Sequence, residues 1–469
     1  MVQKYLDLLA WLKQAGYSLS AAAAQLAADR FQFEPRMIST DTRSLQPGAL
    51  YVPLRGERFD GHDYLLQAFE TGAALALCEQ SVFEATEALQ QLPLILVDHT
   101  LAAYQDLARS WHRQLGTPVI GITGSSGKTS TKEILYQVLS PFFVVHRTEA
   151  NLNNEIGVPH TLLALQPEHQ LCIVEMGMRG LGQITTLCSI AEPVYGIITN
   201  IGPVHLSELG SQEAIAQAKW ELARYLEAHQ GLLVINTDNT WLQRLGAEYP
   251  GRLLRCGQAE EADLQLQAFR LADQGQQLFY CFEGQDYQAS LDLEGLHQAL
   301  NLLCCLGVLS ALQPLPASLD IAVPRLSGRQ EEIRLKPELT LINDSYNANP
   351  DSMRAALQVL AARPGQRVAI LGKMAELGPD AERFHIALGA YCRDLGLDQL
   401  VVIGTEAAGI ATGFGADAVW FYPDNAAAIA DLPNRLDPLN GQILVKASRS
   451  ARLEEIVHAL RDRFAAPVA

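Results

Sequence analysis

The residues TPVIGITG (117–124) form a continuous apolar run that ends in glycine, and KTSTKEILYQVLS (128–140) follows with the pattern of a helix. More apolar runs of strand length come later, namely QLCIVEMG (170–177), VYGIITNIG (194–202) and GLLVINTD (231–238), with helical patterns between them. Fully apolar strands that alternate with helices are typical of a parallel sheet whose two faces are both covered. This part of the chain therefore predicts a central α/β domain built on a parallel sheet.

An anion site is expected where the first of these strands turns into its helix. Glycines at such a turn leave backbone N–H groups exposed, and the helix dipole adds positive potential. Lys128 would reach the outer phosphates of a nucleotide, and the Thr129 hydroxyl would bind magnesium. The usual pattern, G-x-x-x-x-G-K-[ST], would need a glycine at Ile122, so this loop is a shorter variant. The alternative is an ordinary strand-to-helix turn. The predicted nucleotide-binding residues are Gly124, Ser125, Ser126, Gly127, Lys128, Thr129 and Ser130.

Two further series of strands and helices flank the central one. A chain of 469 residues predicts about three domains at roughly 150 residues each. We predict an α/β fold with a small N-terminal α/β domain (1–115), a central P-loop parallel-sheet domain (116–320) and a C-terminal Rossmann-like α/β domain (321–469). Within the central domain, the alternating stretch 257–293 predicts an antiparallel excursion. The flanking strand-like runs are ALYVPL (49–54), ALALCE (74–79), LPLILVD (92–98), LTLINDSYN (339–347), RVAILG (367–372), QLVVIG (399–404) and ILVKAS (443–448).

Composition excludes several classes of protein. The net charge of -17 disfavours a nucleic-acid binder or a binder of anionic membranes, since both need a basic face. The eight cysteines form no C-x-x-C pair and no Cys/His cluster, as expected in a reducing cytoplasm. Asp7 and Lys13 interrupt the first apolar run, which argues against a signal peptide. Leu300–Leu312 is shorter than the ~20 residues that span a bilayer. We expect a cytoplasmic protein, without membrane insertion, that is a monomer.

Beyond the loop, the sequence alone offers Glu175 as a candidate metal ligand. Magnesium needs further oxygen ligands, usually one or two carboxylates. Glu175 ends an apolar strand, where ligands bind in open α/β sheets and where an unpaired carboxylate is costly; a solvated strand end is the alternative. His205 follows the next strand, although a lone histidine is more often structural. Lys219 lies in a helical pattern, where a lysine is ordinarily solvated, so the residues alone do not single it out.

Six stretches occur in order along the chain: TGSSGKTSTKE (123–133), NLNNEIGVP (151–159), VEMG (174–177), ITNIGPVHLSELGSQEAIAQAKWEL (198–222), NDSYNANPDSM (343–353) and ILVKASRS (443–450). Together they resemble the Mur ligases of peptidoglycan synthesis. That family uses the short T-G-x-x-G-K-T loop for ATP and forms amide bonds. The first-domain stretch STDTRSLQPGALYVPLRGERFDGHDY (39–64), with YNANP (346–350) and MAELG (374–378), most resembles the members that join D-alanyl-D-alanine to UDP-N-acetylmuramoyl-tripeptide. No D-N-P-R string, usual in the sister ligase that adds the third amino acid, occurs.

The resemblance implies a role for each matched residue. It implies ATP and two magnesium ions, with Lys219 as a carbamate, since carbamoylation turns a cation into a carboxylate-like anion. The implied catalytic residues are Lys128, His205 and Lys219. The implied metal ligands are Thr129, Glu175, His205 and Lys219. The implied ATP-binding residues outside the loop are His297, Asn301, Arg329, Asp344 and Tyr346. The implied substrate-binding residues are Thr42, Arg43, Asn151, Asn153, Asn154, Asn347, Lys446 and Arg449.

The implied reaction transfers the γ-phosphoryl group of ATP to the tripeptide carboxylate, and the amine of D-alanyl-D-alanine then attacks the acyl phosphate. Three residues depart from the family pattern: Gln298 stands for an asparagine near the adenine, Lys373 for an aspartate in a loop expected to face the cleft, and Ala447 for a glycine. Two other classes stay open. One is another ATP-dependent amide ligase, either the third-amino-acid-adding Mur ligase or a folylpolyglutamate or cyanophycin type. The other is a non-catalytic assembly protein of the same fold. Whether the tripeptide ends in diaminopimelate or lysine is also open.

Overall fold

The first part of the chain forms a small α/β unit. The structure, a computed structural model, describes residues 5–26, 31–272 and 275–464. A five-stranded sheet has the order β2-β7-β6-β5-β4, parallel except for the β2–β7 pair, and β1 pairs with β3 beside it. The strands are β1 (Leu6–Asp7), β2 (Ser18–Leu19), β3 (Gln32–Phe33), β4 (Ile38–Ser39), β5 (Leu50–Tyr51), β6 (Leu75–Glu79) and β7 (Leu94–Val97). The helices are α1 (Leu8–Ala15), α2 (Ala21–Ala24), α3 (Leu65–Thr71), α4 (Gln80–Ala85) and α5 (Thr100–Leu115).

The central part forms a ten-stranded sheet of order β17-β16-β15-β14-β13-β12-β11-β8-β10-β9. Only the β14–β15 and β15–β16 pairs are antiparallel, which confirms the predicted excursion. The strands are β8 (Val119–Thr123), β9 (Val145–Arg147), β10 (Leu171–Glu175), β11 (Tyr195–Ile198), β12 (Leu232–Asn236), β13 (Arg252–Gly257), β14 (Leu264–Leu271), β15 (Gln276–Phe282), β16 (Gln285–Leu291) and β17 (Ser318–Ile321). The helices are α6 (Lys128–Leu139), α7 (Gly157–Leu163), α8 (Gln183–Ala191), α9 (Leu206–Leu209), α10 (Gln212–Ala228), α11 (Thr240–Ala247) and α12 (Leu296–Leu312).

The last part forms a six-stranded sheet of order β18-β19-β23-β20-β21-β22, parallel except for the β18–β19 pair. The strands are β18 (Glu331–Lys336), β19 (Leu339–Asn343), β20 (Gln366–Leu371), β21 (Gln399–Ile403), β22 (Val419–Tyr422) and β23 (Gly441–Lys446). The helices are α13 (Pro350–Ala361), α14 (Ala381–Asp394), α15 (Ala408–Phe414), α16 (Asn425–Leu436) and α17 (Glu454–Phe464). The predicted α/β fold class is confirmed.

The central sheet is buried on both faces, as its unbroken apolar strands predict. Alternate residues of a strand point to opposite faces. Val119 and Val174 accordingly belong to one hydrophobic cluster, whereas Ile120 and Ile173 belong to a second cluster across the sheet. Helices must therefore cover both faces of the sheet, whereas the carboxyl ends of its strands stay uncovered.

Two elements, α5 and β17, end near the predicted domain boundaries. The helix α5 ends at Leu115, so we propose 1–115 as the first domain. β17 pairs with β16 and ends at Ile321, and we propose the end of the central domain beside it, at 320. Among the described helices, none combines the length and apolar composition needed to cross a membrane.

Candidate active site

The glycine loop joins β8 to α6 at the carboxyl ends of the strands of the central sheet. Gly127 caps the helix with φ 78°, a conformation that favours glycine. A Cβ on Gly124 would lie 1.9 Å from Thr199 Oγ1, so no side chain fits there. Lys128 Nζ donates to the Gly124 carbonyl at 2.8 Å. The side chain of Lys128 is therefore bound to the backbone of its own loop.

The segment after β11 holds the loop, because β11 is the neighbour of β8 in the sheet. Ser126 N donates to Asn200 Oδ1 at 2.8 Å, and Asn200 Nδ2 donates to Ser126 Oγ at 2.7 Å. Thr199 Oγ1 donates to the Ser126 carbonyl at 2.6 Å. Sequence reasoning assigned no role to Thr199 or Asn200. Two polar residues directly after a buried strand were the available signal.

Glu175 lies on the other side of the loop, because β10 is the second neighbour of β8. Its side chain is buried, and Oε1 accepts from Asn153 Nδ2 at 2.7 Å. The buried Oε2 atom has no hydrogen-bond partner in the structure. A buried carboxylate oxygen without a partner is costly unless a cation is bound. The predicted pairing of Glu175 with a metal fits this orphaned atom.

Lys219 lies behind the loop, in α10, and is only 2% exposed. Burial lowers its pKa well below the ordinary lysine value, and the neighbouring Lys128 lowers it further. Burial also lowers the pKa of Lys128. The charge of Glu175 opposes this lowering, and the charge of Arg329 adds to it. Lys219 is therefore buried, although a lysine in a helix is ordinarily solvated. The Lys219 amine becomes neutral and nucleophilic more readily than a surface amine does.

His205 lines the cleft in a left-handed backbone conformation, with φ 56°. Its Nδ1 atom lies 2.5 Å from Glu376 Oε2 in the third part of the chain, although the two groups are not aligned as a hydrogen bond. Among residues 5–26, 31–272 and 275–464, no three His, Cys, Asp or Glu side chains form a metal site by themselves. A magnesium ion here would need other oxygens, such as the Thr129 hydroxyl and nucleotide phosphates.

On the adenine side of the predicted ATP site, α12 contacts the linker that precedes β18. Gln298, the departure from asparagine, donates to Gln330 Oε1 at 3.3 Å and accepts from Asn301 Nδ2 at 3.2 Å. The longer side chain thus reaches the linker. Burial and Lys446 lower the pKa of His297 to about 4, so its imidazole is neutral at pH 7. Sequence reasoning missed Gln330, whose φ is 50°.

The third part of the chain contributes cations and aromatic surface to the same cleft. Lys446 Nζ lies 2.6 Å from Asp344 Oδ2 and donates to the Asn347 carbonyl at 2.9 Å. The Arg329 guanidinium lies 4.0 Å from the centre of the Tyr346 ring, a cation–π contact. Arg449 is largely exposed and pairs with Glu454 at 3.1 Å.

Lys373 does not present its charge to the cleft, contrary to the expectation. Its Nζ pairs with Glu406 Oε2 at 2.5 Å, within the third part of the chain. Ala447, the other departure there, is fully buried; a methyl group built on Gly372 would lie 2.8 Å from the Ala447 Cβ, so the two small residues pack closely.

One cleft of about 1770 Å³ brings most of the predicted residues together. Gly124 and Lys219 lie behind its surface rather than in its lining. The predicted residues that line it are Ser125, Ser126, Gly127, Lys128, Thr129, Ser130, Asn151, Asn153, Asn154, Glu175, His205, His297, Asn301, Arg329, Asp344, Tyr346, Asn347, Lys446 and Arg449.

Thr42 and Arg43 lie apart from this cleft. A separate cavity of about 330 Å³ lies between the first part of the chain and α7, and Thr40, Asp41 and Ser44 line it. Neither Thr42 nor Arg43 is in that lining, and the exposed Arg43 pairs with Asp41 at 2.6 Å. Their assignment to the uridine nucleotide stays a prediction. The adjacent residues are better placed to contact a molecule in the cavity.

Asp351 is a cleft residue that the sequence analysis did not identify. It lies in the first turn of α13, and its carboxylate meets the loop after β11. A methyl group built on Gly202 would lie 1.9 Å from Asp351 Oδ2. Burial raises the pKa of Asp351, and Arg354 opposes that shift. The third part of the chain is therefore seated directly on the segment that holds the glycine loop.

We expect Gly202→Ala to lower kcat/KM for ATP-dependent turnover by about 10- to 100-fold, because a displacement of ~1 Å near a reacting centre can cost that much. Steady-state kinetics would measure it. Gly180→Ala is the matched control, since its added Cβ would meet no atom closer than 3.8 Å. Adding Asp351→Ala to the Gly202→Ala variant should relieve the clash and recover part of the loss. Equal kinetics for Gly202→Ala and Gly180→Ala would contradict the expectation.

Known proteins resemble this chain over most of its length. Residues 34–112 match the model for the Mur ligase family catalytic domain, residues 122–309 the Mur ligase middle domain, and residues 328–449 the Mur ligase glutamate ligase domain. A UDP-N-acetylmuramoyl-tripeptide–D-alanyl-D-alanine ligase from Synechocystis sp. is 37% identical over 444 residues, which cover 90% of this chain and 91% of that protein.

Solved structures agree with the sequence matches. The crystal structure of MurF from Acinetobacter baumannii is similar at a TM-score of 0.85 and 27% identity, covering 98% of this chain and 100% of that one. The MurF ligase from Thermotoga maritima, crystallised in complex with ADP, is similar at a TM-score of 0.81 and 26% identity, covering 92% and 98%.

Proposed function

The chain belongs to the Mur ligase family, and from that premise we propose that it joins D-alanyl-D-alanine to UDP-N-acetylmuramoyl-tripeptide at the expense of ATP. One observation carries the proposal: the similarity to ligases of that name extends over 90% of the chain and includes the first and third parts, in which sister ligases differ. The chain is thus an ATP-dependent peptide ligase of peptidoglycan precursor synthesis. All eight cysteines are free thiols, which supports a cytoplasmic site of action.

The phosphoryl transfer brings two anions together, the γ-phosphate and the tripeptide carboxylate. Lys128 at the start of α6 and Lys446 at the end of β23 both line the cleft and supply positive charge from the central and third parts of the chain. Such preorganised charge stabilises the phosphoryl group in transfer. Thr129, Glu175, His205 and Lys219 would hold magnesium. The metal would offset the charge on the phosphate oxygens.

The second step forms the amide bond. The terminal amine of D-alanyl-D-alanine loses its proton and attacks the acyl-phosphate carbon, the C–N bond forms, and the C–O bond to phosphate breaks. Inorganic phosphate leaves. Because water would hydrolyse the acyl phosphate, contact between the third and central parts of the chain protects the intermediate. The contact of Asp351 with the Gly202 backbone is part of that closure.

We propose that Lys219 acts as a carbamate. Its neutral amine would add carbon dioxide, forming an N–C bond and releasing a proton, and the product would be an anion. The lowered pKa of Lys219, caused by burial and by Lys128, supports this step because only the neutral amine reacts. The carbamate, as an anion, would also attract the neighbouring Lys128 ammonium.

The acceptor is the part of the proposal that is most easily tested. Phosphate release would be measured with UDP-muramoyl-tripeptide and ATP while the acceptor is varied among D-Ala-D-Ala, L-Ala-L-Ala, diaminopimelate, lysine and D-glutamate. We expect turnover with D-Ala-D-Ala and at least ~10-fold less with each other acceptor, since one missing set of polar contacts costs about 1.4 kcal/mol or more. A preference for a free amino acid would assign the chain to a sister step.

A further inference from the structure

One loop of the third part of the chain contacts three successive residues of the central part. The loop 372–377 follows β20. The Glu376 carbonyl accepts from Ser207 N at 3.3 Å, and Glu376 Oε2 lies 2.5 Å from His205 Nδ1. Leu206, between these two residues, packs against the hydrophobic cluster of the third part of the chain. The contact therefore combines a backbone hydrogen bond, a close approach of a carboxylate to an imidazole, and apolar packing.

The loop is held firmly from its own side. Met374 N donates to His385 Nε2 at 2.9 Å, and Ala375 N donates to Ser448 Oγ at 2.8 Å. Leu377 is buried. Glu376 has φ 61°, a left-handed conformation that costs a non-glycine residue about 1 kcal/mol or more. Such a conformation persists where the surroundings impose it, and the bonds of Met374 and Ala375 hold the adjoining backbone from the third part of the chain.

His205 has the same kind of backbone conformation, with φ 56°. Two left-handed non-glycine residues thus face each other across the contact. A histidine that binds a metal through one ring nitrogen usually has its other nitrogen held by a carboxylate or carbonyl, which sets the tautomer and the ring orientation. With Nδ1 against Glu376, Nε2 is the nitrogen left for an ion.

We propose that Glu376 is a positioning residue that orients His205 from the third part of the chain, so that the second metal site is complete only when this loop is docked. The inference rests on the proposed function, in which His205 binds magnesium. It adds that the carboxylate of one domain prepares a ligand of another. Loss of the docked loop then removes both the closure of the cleft and the affinity for the second ion.

The test measures ion binding directly, with Mn²⁺ as the probe. Electron paramagnetic resonance would count bound Mn²⁺ in the presence of a non-hydrolysable ATP analogue and UDP-muramoyl-tripeptide. We expect two ions per chain in the unaltered protein. Glu376→Gln and Glu376→Ala should keep the first ion and bind the second about 10- to 100-fold more weakly, as for other outer carboxylates of metal-bound histidines.

The control is Glu406→Gln, which removes the partner of Lys373 in the same part of the chain without touching His205. It should bind both ions as the unaltered protein does. Unchanged binding of both ions in the two Glu376 variants would overturn the inference, even if their melting temperatures fell, because the contact would then be structural only. Turnover of the unaltered protein with D-Ala-D-Ala is scored separately, so failure of the proposed function is distinguishable.

Discussion

Lys128→Ala is expected to lower the ligation rate by about 10³-fold or more, the loss that follows removal of a preorganised charge at a transferring phosphoryl group. Lys128 starts α6 directly after the glycine loop, and its ammonium already lies within 2.8 Å of the loop carbonyl of Gly124. Neutral alanine at this position leaves the anionic phosphates without their nearest cation. Phosphate release and product formation would both be measured at saturating ATP.

The fold should survive this substitution. Burial lowers the pKa of Lys128, so the folded protein holds its charged form at some cost, and alanine removes that cost. The lost hydrogen bond to the Gly124 carbonyl is worth about 1 kcal/mol, so the melting temperature should change by a few degrees at most. Lys128→Arg keeps the charge and serves as the comparison. A near-native rate in Lys128→Ala would remove the loop from the mechanism.

Lys219→Arg is expected to be inactive, with a loss on the order of 10²- to 10³-fold, the equivalent of several kcal/mol of metal-ion stabilisation. Arginine keeps a positive charge but cannot form the carbamate, and it stays protonated even when buried. It would also place a permanent cation beside Lys128. The rate of ligation would be compared with that of Arg224→Ala, a change on the exposed face of the same helix, which should have no effect.

A second measurement separates loss of the carbamate from loss of the fold. In the unaltered protein, ¹³C-labelled bicarbonate should give a carbamate signal by nuclear magnetic resonance, and Lys219→Arg should lack it. Acetate or formate added to Lys219→Ala should restore part of the turnover, because a small carboxylate can occupy the space. An active Lys219→Arg variant would show that a cation is sufficient, and the carbamate proposal would then fail.

The amino-acid sequence by itself determined the fold class and the position of the phosphate loop. Both follow from local patterns: unbroken apolar strands that alternate with helices, and Gly124 to Thr129 at the point where one strand becomes a helix. The strand end at Glu175 was also readable, because a carboxylate after a buried strand is costly without a partner. Lys219 was different. Its position in a helix predicted a solvated side chain, and only the family resemblance singled it out.

The tertiary structure alone decided which distant residues meet. β8 lies between β10 and β11, so the loop 124–127 is held by Asn200 on one side and faces Glu175 on the other, a pairing that depends on strand order and not on chain separation. The burial of Lys219 likewise depends on how α10 packs. Contacts between sheets were the least predictable. Glu376 reaches His205 because the docking of the third part of the chain on the central part sets this distance, and no local pattern encodes that docking. Lys373 pairs with Glu406 within the third part, a contact that depends on how that part folds.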